Sequence, residues 1–252
     1  MKTTMTRNAG TDSASSGRHL APKREQAANV NSVENVRENY DRVADEYARR
    51  IFDELEGKPL DRELLTRFAA ESKGRGTICD MGCGPGHVAR FLKDSGANVF
   101  GLDLSPQMIA AAQRLCPDIE FRAGNMLALD LHDNSLAGIT AFYAIVNIPW
   151  ESLSVVFGEM FRVLHPGGML LLAFHIGDQV LRPQELWGQP IAMEFYHLPL
   201  LPIEALLSKA GFEIAEIVER HPYPEVEFQS RRAYIFARKP APGDREAIGA
   251  SG

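Results

Sequence analysis

The sequence predicts an α/β protein built on a largely parallel sheet with helices on both faces. Two observations carry that reading. From residue 77 onward, short apolar runs alternate with amphipathic stretches across short connections, the pattern of repeated strand–helix–strand units. The last two apolar runs have no helix between them, so they are expected to pair antiparallel at one sheet edge.

The elements follow in order. Val36, Tyr40, Val43, Tyr47 and Ile51 fall at helical spacing, with Asn31 and Glu34 resembling a capping box in front. A second helix opens at Pro59 and stops near Gly74. Strand 77–80 precedes helix 86–93, closed by Gly96. Strand 98–102 leads to a helix capped by Ser105, with Pro106 in its first turn. Strands are expected at 119–122 and 137–142, a helix at 151–164, and a longer strand at 169–175. The stretch 176–201 exceeds ordinary loop lengths and reads as functional. Helix 202–209 ends at Gly211, and strands 213–219 and 232–238 close the fold. Residues 1–30 and 239–252 lack apolar periodicity and are expected to be a disordered leader and tail around one domain, 31–238. That domain comprises N-terminal helices (31–74) and a substrate-side insertion (176–201).

Composition narrows the function classes. With 27 basic and 33 acidic residues the net charge is −6, which disfavours a phosphate-binding surface and hence a nucleic-acid partner. No apolar run approaches the ~20 residues that span a bilayer, and no secretory h-region follows Lys2 and Arg7. Three sparse cysteines, Cys79, Cys83 and Cys116, suit a reduced cytoplasm, and no metal site is expected.

The strongest chemical signal is the run Cys79-Asp80-Met81-Gly82-Cys83-Gly84-Pro85-Gly86, which joins a strand to a helix. Glycines at alternate positions let backbone approach a ligand closely and turn into the helix. A dinucleotide fingerprint is the competitor, but its third glycine position holds His87. A carboxylate beside the loop, Asp80, suits a cationic ligand better than a pyrophosphate. Asp103 ends the second strand, where a carboxylate accepts from both hydroxyls of a ribose.

These residues, with Gly101-Leu-Asp103-Leu-Ser105, resemble a class I S-adenosylmethionine-dependent methyltransferase of the ubiquinone and menaquinone type. Gly124-Asn125-Met126, Phe142-Tyr143 and Leu164-His-Pro-Gly-Gly168 match further segments in the same order. The resemblance implies a Rossmann-like, doubly wound seven-stranded sheet in the order 3-2-1-4-5-7-6, with strand seven antiparallel and an N-terminal helical lid. It implies that Asp80, Gly82, Cys83, Gly84 and Gly86 lie toward the methionine part, with Cys83 packing inside the loop. Asp103 would bind the ribose and Leu104 or Met108 would cover the adenine. Asn125 and Met126 would lie beside the adenine amine, and Phe142 beside the cofactor. Tyr143 would sit where cofactor and acceptor meet, and Tyr40, or Tyr47 on the same face, would reach the carboxylate.

His175, ending the fifth strand, is the candidate base, and Tyr143 the other candidate catalytic residue. Asn147 and Trp150 are candidates for the acceptor pocket, and Trp187, Glu194 and His197 either roof that pocket or pack on the sheet. The expected activity is cytoplasmic, metal-independent methyl transfer from S-adenosyl-L-methionine to a small, partly hydrophobic acceptor, such as a secondary metabolite or quinone-like ring. The expected state is monomer or homodimer, without nucleic-acid or membrane partners. The alternatives are a cofactor-binding enzyme of other chemistry, a nicotinamide-dependent oxidoreductase, and a non-catalytic partner subunit.

Overall fold

The computed structural model describes residues 30–242. The expected leader, up to residue 29, and the tail from residue 243 lie outside the described residues. Numbering only the strands of the main sheet, the order is α1 (Val33–Ile51), α2 (Pro59–Ser72), β1 (Ile78–Met81), α3 (His87–Asp94), β2 (Val99–Asp103), α4 (Pro106–Leu115) and β3 (Glu120–Ala123). Then come β4 (Leu136–Phe142), α5 (Leu153–Val163), β5 (Leu164–His175), α6 (Leu200–Ala210), β6 (Glu213–Arg220) and β7 (Arg232–Arg238). The sheet runs β6-β7-β5-β4-β1-β2-β3. β1 pairs in parallel with β2 and β4, and β7 runs antiparallel to both neighbours. This is the doubly wound, seven-stranded order expected from the sequence.

Alternation along the central strands sorts the core into two layers. Leu170, Leu172 and Phe174 of β5, with Ala233, Ile235 and Ala237 of β7, face α5 and α6. Met169, Leu171 and Ala173, with Tyr234 and Phe236, face the layer of α2, α3 and α4. Each buried leucine or phenylalanine removed from water contributes ~1.5–3 kcal/mol.

Three local readings are corrected. Ser32, not Asn31, caps α1, accepting from the Asn35 amide at 3.2 Å. Helix α5 begins only after a 3₁₀ turn at Trp150–Ser152. The Leu164–Gly168 turn is drawn into β5, where the register against β4 shifts between Leu136 and Gly138. At the other end of the sheet, Lys239 extends ordered pairing past β7. Its amide donates to the Gly168 carbonyl and its ammonium to the Leu164 carbonyl at 2.7 Å.

Gly86 precedes α3 with φ of +86°, so no side chain there caps the helix. Asp80 does so from the neighbouring strand: Oδ2 accepts from the Ala89 amide at 3.1 Å, and Oδ1 from Thr140 Oγ1 at 2.9 Å. A Cβ on Gly86 would meet Phe121 Cζ at 2.7 Å, so the loop tolerates nothing larger than glycine there. Burial raises the Asp80 carboxyl from its ordinary 3.8 to about 6. The folded state therefore favours the protonated acid. That contribution is full below pH 3.8 and is lost as pH rises through 6, by roughly 3 kcal/mol. Urea unfolding of wild type and Asp80→Asn across pH 3.5–7.5 is expected to show this decline in wild type and a flatter profile in the variant. Identical profiles would exclude Asp80 as its source.

Candidate active site

The carboxyl ends of β1, β2 and β4 open on a cleft lined mainly by apolar side chains with a few polar ones, the usual make-up of a small-molecule site. Gly82 and Gly84 form one wall, both with positive φ. The position on which a Gly84 Cβ would stand looks across the cleft at Tyr47 Cε1, 3.7 Å away. Asp103 stands at the end of β2 on the same wall. Its Oδ2 accepts from the Gly84 amide and its Oδ1 from the Ser105 amide, both at 2.8 Å. Burial pushes this carboxyl up and the two amides oppose that.

Leu104 and Met108 form an apolar flank, faced by Asn125, Met126 and Leu127. Asn125 Oδ1 accepts from the Leu127 amide at 2.9 Å, so the loop after β3 turns back on its own side chain. Phe142 and Tyr143 close the β4 side.

Three residues expected at the cofactor are set back from this surface. Asp80 and Cys83 are buried beneath the loop. Gly86 packs against Phe121 and Ala112. All three shape the loop and none is among the cleft-lining residues. The alternate glycines look alike in sequence; packing from β3 and α4 is what separates them.

Helix α1 roofs the cleft, and the 176–201 insertion packs against α1 without itself lining the cleft. Val36, Tyr40 and Tyr47 face inward from α1. The insertion forms two short antiparallel ladders, Val180–Leu181 with Phe195–Tyr196 and Glu185–Leu186 with Gln189–Pro190. Trp187 meets the Tyr47 ring edge-on, at 5.5 Å between centroids. Ile191 and Met193 pack with Val43, Ala44 and Met108. A row of asparagines joins the two segments. Asn31 donates to the carbonyls of Asn147 (2.9 Å) and Glu194 (2.8 Å), and accepts from the Glu194 amide. Asn35 donates to the Ala192 carbonyl, and Asn39 accepts from the Ala192 amide. Asn147 completes the joint: Oδ1 accepts from the Tyr40 hydroxyl at 2.6 Å and Nδ2 donates to the Glu194 carbonyl at 2.7 Å. From the sequence, Asn31 has only a capping role, although asparagines at 31, 35 and 39 recur at every fourth position at the start of α1.

Tyr143 holds a φ of +54°, rare for a bulky residue. Its hydroxyl meets that of Tyr234 at 3.2 Å, and burial raises its pKa well above the usual phenol range. His175 is not among the cleft-lining residues. It stacks on Tyr143 at 4.9 Å and on His197 at 5.4 Å, and its Nδ1 meets Ser230 Oγ at 2.7 Å. Burial, with Arg232 and His197 nearby, drops its pKa to about 3, so it stays neutral and is a weak base. His175, expected as the base, thus stands behind Tyr143 instead of on the cleft wall. Near Tyr143 lies a buried ionic cluster in which Arg220 bonds Asp61 and Glu227, and Arg232 bonds Glu227. Lys58 and Arg232 both lie within 6 Å of the Tyr143 ring.

A family described as a methyltransferase domain matches residues 78–168. Over these residues the chain has the methyltransferase domain, of the class I S-adenosylmethionine-dependent kind that its motifs resemble. The match takes in the glycine loop, Asp103, the loop after β3 and the β4–β5 connection. The malonyl-[acyl-carrier protein] O-methyltransferase of Enterobacter lignolyticus is 30% identical over 149 residues, 59% of this chain and 56% of that protein. The demethylmenaquinone methyltransferase of Renibacterium salmoninarum is 37% identical over 98 residues, 38% of this chain and 40% of that one. The aligned part thus spans about half the length of these relatives. Among solved structures, the [4+2]-cyclase SpnF superposes with a TM-score of 0.63 at 18% identity, covering 84% of this chain and 98% of that one, a likeness of fold.

The methyltransferase domain's cleft fits the family's cofactor. Asp103 offers a carboxylate to vicinal hydroxyls, the Leu104–Met108 flank suits a flat base, and the side-chain-free Gly82 and Gly84 let backbone approach the chain between them. Asp103→Ala is expected to weaken S-adenosylhomocysteine binding by about 2–4 kcal/mol, read by calorimetry. Unchanged affinity would remove Asp103 from the site.

Proposed function

We propose that this protein transfers a methyl group from S-adenosylmethionine to a small, partly hydrophobic acceptor such as a secondary metabolite or a quinone-like ring. One observation carries the reading: Asp103 and the glycine loop share a single cleft with the apolar side chains of Val36, Leu104, Met108, Phe142 and Ile148, roofed by α1. The relatives named for quinone and acyl-carrier substrates support methyl transfer in general and leave the acceptor open between them.

When bound, the cofactor supplies an electrophilic methyl on a sulfonium. The chain's own task is alignment and exclusion of water. Asp103 anchors one end, and Tyr40, held by Asn147, presents its ring from above. Tyr143, held by Tyr234 and flanked by His175, gives a rigid aromatic wall at the carboxyl end of β4. A histidine with a pKa of about 3 is a poor proton acceptor near neutral pH, so this assignment rests on positioning rather than on a strong base.

The deciding experiment is incubation with S-adenosylmethionine and an acceptor panel, followed by mass analysis. Methylated product and S-adenosylhomocysteine in equal amounts are expected. Cofactor binding with a product of unchanged mass would overturn methyl transfer. His175→Gln should lower kcat by less than the ~100-fold that loss of a general base brings; a larger loss, confined to kcat and absent above the pKa of the acceptor, where its proton is already gone, would restore the base.

A further inference from the structure

Beyond the roofed cleft lies a second, more open groove of about 550 Å³, lined by Val30, Pro149, Trp150, Glu151, Asp178, Val180, Glu194, Tyr196, His197, Leu198 and Pro199. The two spaces share Pro149 as a wall residue. Asn31 and Val30 are chain neighbours that line the inner cleft and the outer groove respectively. The partition is therefore the clasp of Asn31, Asn147 and Glu194, continued by the Tyr143–His175–His197 stack.

The chemistry of the groove is one-sided. Trp150 is 45% exposed and Val180 36%, large apolar surfaces open to solvent. Three carboxylates line it, and no lysine or arginine does. Glu194 is neutralised by Arg182 at 2.7 Å. Glu151 and Asp178 have no ion-pair partner among the described residues. His197, the one other titratable cation-former, is held neutral by burial and by Arg232. An indole and a phenol ring beside unpaired carboxylates are the elements that recognise an organic ammonium. The same field opposes a carboxylate or phosphate.

We infer that this outer groove is the acceptor's binding site and that it takes an apolar molecule bearing a cationic amine. The assignment as an acceptor site rests on the methyl-transfer reading; the groove's preference for a cation does not. The ammonium serves as a handle for recognition. The apolar body lies along Trp150 and Val180, and the partition decides how far it reaches toward the cofactor. This narrows the acceptor away from anionic molecules such as a free malonyl carboxylate.

The test uses matched probes, phenylbutylamine and phenylbutyrate, titrated into the full chain by calorimetry. The amine is expected to bind at least about tenfold tighter, with the gap shrinking as ionic strength rises. Glu151→Gln/Asp178→Asn, at exposed positions, should erase most of that gap. Trp150→Ala should weaken both probes alike. Equal affinities, a preference for the carboxylate, no binding of either probe at millimolar concentration, or a preference unchanged in the double variant would each overturn the inference. S-adenosylhomocysteine is titrated into the same preparation. Its failure to bind would sink the methyl-transfer reading while leaving the probe result to stand or fall alone.

Discussion

One carboxylate ties the site to the fold. Asp103 takes the Gly84 amide with one oxygen and the Ser105 amide with the other. The first bond fixes the glycine loop against β2. The second orders the start of α4, where Ser105 caps the Met108 amide. Asp41 of α1 then accepts from the Ser105 hydroxyl at 2.6 Å and from the Gln107 amide at 3.1 Å. A negative group at a helix N-terminus is stabilising, so this contact lays α1 across the cleft. The chain of dependence runs from a strand end to a loop, to a helix cap, to the roof. Asp103 still lines the cleft, so the residue that organises the loop is also one that a ligand meets.

The sheet was legible in the sequence because its signal is local and repeated. Apolar runs at β1, β2 and β4, Pro106 after Ser105, and Gly211 after α6 each state a boundary through one physical cause. The edge pair β6 and β7 was legible from the lack of room for a crossover helix. Within the site, Gly82, Gly84, Asp103, Leu104, Met108, Asn125 and Met126 all line one cleft, since each follows a strand at the carboxyl edge of the sheet. What the sequence hid depends on contacts distant along the chain. Whether Asp80 faces a ligand or the core is settled by Thr140 and the Ala89 amide. Where His175 sits is set by Ser230, Tyr143 and His197, none of them its neighbour in sequence. The asparagine row shows no apolar period, so a search for hydrophobic patterning passes over it.

Charge is divided with purpose between two sides of Tyr143. On one side Lys58, Arg220 and Arg232 are matched by Glu54, Asp61 and Glu227 in a buried network. Breaking such a network by removing one partner leaves an uncompensated buried ion, which destabilises by ~3–5 kcal/mol. It holds the Tyr143 ring in its strained backbone position rather than presenting a free charge to a ligand. In the outer groove the carboxylates of Glu151 and Asp178 stand exposed and unmatched, where a ligand can reach them.

The asparagine clasp also sets the order in which parts of the molecule come apart. The sheet is secured by continuous main-chain ladders and a dry core, whereas the roof joins segments more than 150 positions apart through a handful of amide bonds. Each such bond adds only ~1 kcal/mol net. Opening there exposes only the apolar seam of Trp187, Ile191 and Met193 on α1 and leaves every strand of the main sheet paired, so it belongs to the class of sub-global fluctuations seen as early amide exchange. Opening at the entrance therefore costs less free energy than unfolding, and it would admit a large cofactor while the scaffold that orients it stays paired.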